Sequence, residues 1–267
     1  MKTSAGGNDL PSLSKQAEFY DRRWTETDHR LGDDEQPINL RRLQQIVHCM
    51  DIIEKRSPKT GRTILDLGCG SGWLGSKLRR WGKVSGLDLS PMGVERGRRL
   101  YPDITFHIGN LVDFRPEAPY DVVVSSEVIE HVADKHAYMK TLLACVKPGG
   151  YCILTCPNPK VREAWETNGF ALQPIEEWPS IPELRALFSK NFQILRHRTF
   201  EFDFAYSGIF RVTSAPKLLK LISIVGLMPA YDFVRRFFDI GFHQILLAQR
   251  QSPSPVSFDS RQTSGSS

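Results

Sequence analysis

The chain has 267 residues, 40% of them hydrophobic, a net charge of +5 and an isoelectric point near 9.0. That length suffices for one catalytic-size core with embellishments, and the mean hydropathy of −0.31 is that of an ordinary soluble protein. No run reaches the roughly 18 apolar residues of a membrane span. Nucleic acid is disfavoured as a partner, because no concentrated basic strip with interleaved aromatic residues is present.

Residues 1–14 are polar and rich in small residues, which predicts a mobile N-terminus. The stretch has no hydrophobic h-region, so the expected compartment is the cytoplasm. Helices are predicted over 16–24 and 39–54, together a cover over 15–59. Leu40, Leu43, Ile46, Val47, Met50 and Ile53 form an apolar stripe on the second. A short β-type run at 63–67 leads into Asp66-Leu67-Gly68-Cys69-Gly70-Ser71-Gly72, where glycines let the backbone turn tightly and approach a ligand without a Cβ. Residues 73–81 have helical spacing. A second strand, 84–87, ends in Asp88, at the strand end where open α/β sheets bind ligands. A carboxylate there can accept hydrogen bonds from both ribose hydroxyls of a nucleoside. The densest basic cluster, Arg96-Gly97-Arg98-Arg99, belongs to the next helix and reads as a solvated face.

Further strands are predicted at 104–108, 121–125 and 151–155, the last preceded by a turn at Lys147-Pro148-Gly149-Gly150. Strands alternating with helices argue for a parallel doubly wound sheet. The five cysteines, Cys49, Cys69, Cys145, Cys152 and Cys156, show neither CxxC nor zinc spacing and are expected to stay reduced. Strand-like runs at 192–200 and 243–248 flank an insertion over 201–241. Its helix at 216–227 is too apolar all round for a lone surface helix. Four readings stay open for it: a substrate-site cover, a dimer contact, a peripheral membrane contact through 216–228, or packing on the domain's own core. The tail 251–267, dominated by Ser, Pro and Gln, reads as disordered.

The glycines follow Asp-x-Gly-x-Gly-x-Gly rather than G-x-G-x-x-G, and a carboxylate near the turn suits a cationic amino-acid end better than a pyrophosphate. With Asp88 and the Lys147–Gly150 turn, these residues resemble the class I S-adenosylmethionine (SAM)-dependent methyltransferases. The resemblance implies a Rossmann-like domain over 60–250: seven strands, helices on both faces and the last strand antiparallel. It also implies SAM as cofactor. Asp66, Gly68, Cys69, Gly70 and Gly72 would wrap its methionine part and Asp88 its ribose. Leu89, Asn110 and Leu111 would meet the adenine, Asn110 standing where the family often has an aspartate. Upstream, Ile38-Asn39-Leu40-Arg41-Arg42-Leu43 resembles a segment of the ubiquinone-pathway quinol O-methyltransferases. It places Arg42 as a fork for the SAM carboxylate. Tyr20 and Trp24 can close over the cofactor or pack in the core.

For chemistry the candidate is Ser125-Ser126-Glu127-Val128-Ile129-Glu130-His131. Glu127, Glu130 and His131 fall at i, i+3 and i+4, one face of a helical turn. The Glu-x-x-Glu-His string resembles the quinol O-methyltransferases and the small-RNA 3′-end 2′-O-methyltransferases. Either His131 acts as a base oriented by a carboxylate, or the three residues ligate a divalent cation. The metal-free reading is adopted. The segment 173–178 resembles small-molecule methyltransferases that modify sugars and natural products. His136, His197 and His243 read as lone structural or exposed histidines. The expectation is a methyltransferase acting on a hydroxyl of a small or carrier-linked acceptor such as a sugar, quinol or secondary metabolite. An RNA 2′-O-methyltransferase and a non-catalytic SAM-binding scaffold are the alternatives.

Overall fold

The computed structural model describes residues 11–26, 36–162, 173–200, 216–237, 239 and 241–252. Helices α1 (Leu13–Glu26) and α2 (Pro37–Arg56) precede β1 (Arg62–Leu67), α3 (Trp73–Leu78), β2 (Gly82–Asp88), α4 (Pro91–Leu100), β3 (Thr105–Ile108) and β4 (Tyr120–Ser126). Then come α5 (Lys135–Cys145), β5 (Val146–Pro157), α6 (Ile181–Ser189), β6 (Phe192–Phe200), α7 (Pro216–Ile224), α8 (Met228–Phe237) and β7 (His243–Arg250). The seven strands form one sheet in the order β3-β2-β1-β4-β5-β7-β6. The first five pair in parallel, and β7 runs antiparallel between β5 and β6. This is the Rossmann-like sheet expected from the alternation, with its last strand reversed.

Strand periodicity divides the core into two layers. Leu65, Leu67, Val123, Leu154 and Leu246 pack on one face with Tyr138 and Leu142 of α5 and Leu184 and Phe188 of α6. Ile64, Val122, Val124, Ile153 and Ile245 face the other way, onto Ile46, Cys49, Met50 and Ile53 of α2. The stripe read from α2 thus buries its C-terminal half, while Leu40 stays exposed. Because β1, β2, β4 and β5 are parallel, their carboxyl ends share one edge. Reversed β7 starts at that same edge, His243 lying opposite Pro157. All five cysteines are buried free thiols.

Three boundaries differ from expectation. The helix at 73–81 stops at Leu78 and tightens into a 3₁₀ turn, Arg79–Trp81. Lys147–Gly150 is not a turn ahead of the strand but a bulge inside β5. The pairing with β4 jumps from Tyr120↔Val146 to Val122↔Tyr151, and Lys147 Nζ reaches Asp121 Oδ1 at 3.0 Å. The helix over 216–227 ends at Ile224 as α7, and α8 begins at Met228, beyond the left-handed Gly226; Leu221, Ile224, Val225 and Leu227 are exposed. The termini 1–10 and 253–267, and 201–215 of the insertion, lie outside the described residues.

Candidate active site

The glycine turn is built by left-handed backbone at Gly68 (φ 81°), Gly70 (φ 53°) and Gly72 (φ 80°). The amides of Gly68 and Cys69 donate to the Leu87 carbonyl at 2.8 and 3.0 Å, which fastens the loop to the end of β2. A Cβ at Gly68 would lie 2.3 Å from Val128 Cγ2, and one at Gly70 2.8 Å from Trp24 Cζ2. Both positions demand glycine on two counts, conformation and space. Asp88 accepts from Gly70 N (2.7 Å) and Ser90 N (2.8 Å). Burial raises its pKa, and the two amides only partly offset this. Each oxygen keeps a lone pair for a ligand hydroxyl.

From this turn a cavity of about 760 Å³ runs along the carboxyl edge of the sheet. Of the residues expected to bind cofactor, Arg42, Gly68, Gly70, Asp88, Leu89, Asn110 and Leu111 line it. Asp66 and Cys69 do not. They line an adjoining cavity of about 160 Å³, which shares Trp24, Asn39, Arg42 and Gly68 with the larger one. The Asp66 side chain alternates away from Leu65 and Leu67 and accepts from Gly75 N at 2.9 Å, closing the first turn of α3. Burial pushes its pKa up to about 7. Gly72 lines neither cavity. It begins α3, and a Cβ there would meet Phe106 at 2.6 Å. Asn110 spends its amide on its own turn, accepting from Val112 N and donating to Asp113 Oδ2.

At the far end the cavity is walled by Glu127, Glu130, His131, Ile175, Trp178 and His243. Glu127, Glu130 and His131 do meet, but not on one helical face. Only Ile129–His131 forms a turn. Glu127 precedes it in the left-handed region (φ 58°), and its amide continues the sheet to the Thr155 carbonyl at 2.9 Å. A non-glycine residue held there carries backbone strain, of order 1–3 kcal/mol, often found at functional sites.

The carboxylates have opposite characters. Glu127 Oε1 accepts from Thr155 Oγ1 at 2.9 Å and lies 3.6 Å from Arg42 Nε, while Oε2 is 3.1 Å from His243 Nε2. Burial would raise the Glu127 pKa, but Arg42 and then His243 outweigh it and hold the group at about 2. Glu130 is 1% exposed, and its Oε2 has no hydrogen-bond partner among the described residues. Burial and the neighbouring Glu127 charge push its pKa well up. Two carboxyls in a single site whose surroundings push their pKa values apart are the usual signature of an acid/base arrangement.

His131 Nδ1 lies 2.8 Å from the Ile175 carbonyl. A carbonyl only accepts, so Nδ1 carries the proton and the neutral ring has its lone pair on Nε2, 3.8 Å from Glu130 Oε1. The segment that supplies Ile175 is held by a further bond, Glu177 N to the Glu130 carbonyl at 2.8 Å. Tyr20 packs its ring against His131, with centroids 6.4 Å apart.

Two expectations change here. Arg42 faces Glu127 and His243, its terminal nitrogen 3.4 Å from His243 Nε2, so its charge is engaged at the Glu127 end of the cavity. His243 is neither lone nor exposed. It is 1% exposed, stacked on Phe200 and joined to Glu127. The available signal was its place at the first residue of a reversed strand. The Arg42 guanidinium already occupies the Glu127 carboxylate, and no group of three His, Cys, Asp or Glu side chains suited to a metal ion exists among the described residues.

Residues 40–196 match the family model described as a methyltransferase domain, and the chain belongs to that family. Among curated relatives it is similar to a ubiquinone biosynthesis O-methyltransferase of Methylobacterium sp. (strain 4-46), 36% identical over 115 residues, 39% of this chain and 45% of that protein. Its similarity to the enzyme of that name from Vibrio parahaemolyticus is 31% over 159 residues, 57% of this chain and 65% of that one. The chain spans about half the length of the curated relatives it matches. In fold it is similar to the N-methyltransferase NodS from Bradyrhizobium japonicum WM9, with a TM-score of 0.58, 13% identity and coverage of 89% and 98%. It is equally similar to magnesium protoporphyrin IX methyltransferase from Synechocystis PCC 6803, with a TM-score of 0.58, 17% identity and coverage of 90% and 99%.

Proposed function

We propose that this chain is a SAM-dependent O-methyltransferase acting on a hydroxyl of a small or carrier-linked acceptor. One observation carries the reading. A single cavity joins the Gly68/Gly70/Asp88 turn to His131, whose Nδ1 is held by the Ile175 carbonyl so that Nε2 is the nitrogen able to take up a proton. The residues fit SAM. Gly70 leaves the turn open where a Cβ would crowd Trp24, Asp88 keeps lone pairs for a ribose, and about 760 Å³ lies in the range of sites for drug-sized ligands. When bound, SAM supplies an activated methyl group on a sulfonium.

The rest belongs to the chain. Gly68, Gly70, Asp88 and Leu89 hold the nucleoside end. Ile175 and Trp178 enclose the acceptor, and alignment of acceptor with methyl group can contribute about 7–11 kcal/mol to lowering the barrier. His131 Nε2 accepts the acceptor's hydroxyl proton, with Ile175 fixing the ring. The resulting imidazolium is balanced by the Glu176 carboxylate, 3.9 Å from Nδ1. Glu127, clamped by Arg42 and His243, sets the shape of this wall. A general base of this kind contributes roughly 10²–10⁴-fold.

The test has two parts. Calorimetry is expected to show S-adenosylhomocysteine binding, and labelled SAM should transfer its methyl group to members of a panel of phenols, catechols and sugar hydroxyls, with full turnover in excess EDTA. Tight NAD binding without S-adenosylhomocysteine binding would overturn the class of cofactor. Turnover lost on chelation and restored by Mg²⁺ would overturn the metal-free mechanism.

A further inference from the structure

The helical pair α7–α8 leaves its apolar side uncovered. Leu221, Ile224, Val225, Leu227 and Phe233 are between 56% and 73% exposed. At the tip Gly226 is left-handed (φ 71°), and a Cβ added there would meet nothing within 4 Å. The tip therefore stands clear of the domain. Its backbone is nevertheless closed upon itself. Val225 N donates to the Leu221 carbonyl, Gly226 N to Ser223 and Leu227 N to Ile222, at 3.0–3.1 Å. This helix-terminating pattern satisfies the carbonyls that the end of α7 would otherwise leave for water. An apolar tip with its peptide groups already paired can enter a hydrocarbon boundary without the cost of stripping water from unpaired amides.

Charge selects among surfaces that could cover it. The exposed Lys217 and Lys220 stand on α7 beside the apolar residues, and Arg235 and Arg236 follow in the α8 sequence. Against a second copy of this chain, a self-complementary contact would set these cations against their own symmetry mates. Against anionic lipid, each basic residue adds about 1 kcal/mol of attraction. We propose that α7–α8 is a docking surface for an anionic lipid bilayer, its tip at 224–227 entering the acyl boundary and the lysines meeting the headgroups.

The surface is coupled to the cavity wall. Beyond α8, Asn158 Nδ2 donates to the carbonyls of Asp239 and Gly241, both at 2.8 Å, and Asn158 N to that of Phe242. Phe242 and His243 then line the cavity. Docking would hold the acceptor end beside the bilayer, although the inference stands whether or not the acceptor is a lipid. Among the described residues no helix is long and apolar enough to cross a membrane, so the contact is peripheral.

Co-sedimentation of the full chain with phosphatidylcholine vesicles, with and without phosphatidylglycerol, tests this. Binding is expected only with phosphatidylglycerol, weakening as salt is added. The exposed double variant Ile224→Asp/Leu227→Asp should lose at least about tenfold in partitioning, and Lys217→Glu/Lys220→Glu about tenfold or more. All variants should keep the unaltered chain's thermal midpoint, since these side chains are exposed. Failure of the unaltered chain to sediment with either vesicle overturns the proposal, as does unaltered partitioning of the variants. A dimer by light scattering that the same substitutions dissociate overturns it in favour of a second copy.

Discussion

The two ends of the cavity are built by different means. The turn end is made of backbone from one stretch: three left-handed glycines and two amides fastened to Leu87, with one carboxylate, Asp88, closing it. The acceptor end is made of side chains from five segments, with Arg42 on α2, Glu127 and His131 after β4, Thr155 on β5, Ile175 in a loop and His243 on β7. Backbone sites tolerate only glycine and leave a contiguous pattern. Side-chain sites exist only once the sheet has brought remote residues together. The first kind suits a ligand that does not vary, the second one whose identity differs between relatives.

Substitutions can break that division. The largest effect is expected for His131→Asn, which keeps a donor for the Ile175 carbonyl but removes the basic lone pair. Turnover should fall by about 10²–10⁴-fold with S-adenosylhomocysteine affinity unchanged in calorimetry. Equal loss of both would mean that the two ends are one unit. Next comes Asp88→Ala. Losing charge-assisted bonds of about 1.5–3 kcal/mol should weaken S-adenosylhomocysteine roughly ten- to a hundredfold, with acceptor KM nearly constant at saturating SAM. A matching rise in acceptor KM would contradict the separation.

The smallest effect sharpens the turn end. Asp66 is about 7 in the fold against 3.8 unfolded. The folded state therefore binds the extra proton, and the stability this confers is present below about pH 4 and lost as pH rises towards 7. Asp66→Asn, which still accepts from Gly75 N, should abolish that decline. At neutral pH its thermal midpoint should exceed that of the unaltered chain by at least roughly 2–4 °C, the shift that about 1 kcal/mol gives in a chain of this size. A variant whose stability still falls between pH 4 and 7 would place the responsible group elsewhere.

How much was legible follows the same division. Asp-x-Gly-x-Gly-x-Gly followed by a strand ending in Asp88 specified fold class, sheet and ligand edge, because glycine conformation and strand period are local properties. The Glu-x-x-Glu-His string marked three residues that line one cavity, but not on one helical face. Helical spacing was assumed, whereas the Glu127 amide stays in the sheet, bonded to Thr155. Asp66 reads as a ligand residue in the motif, yet its position on β1 turns it to the amides of α3.

By itself, then, the sequence determined the strand-helix alternation and the backbone cradle, since each arises from residues adjacent in the chain; the reversal of β7 is a long-range pairing with β5 and β6. Only the tertiary structure decided which carboxyl pKa is lowered and which is raised. Glu127 and Glu130 are chemically alike and three residues apart. One meets Arg42 and His243 from distant elements, while the other is buried with an unpartnered oxygen. Charge state depends on what long-range packing places within a few ångströms, and local sequence does not encode that.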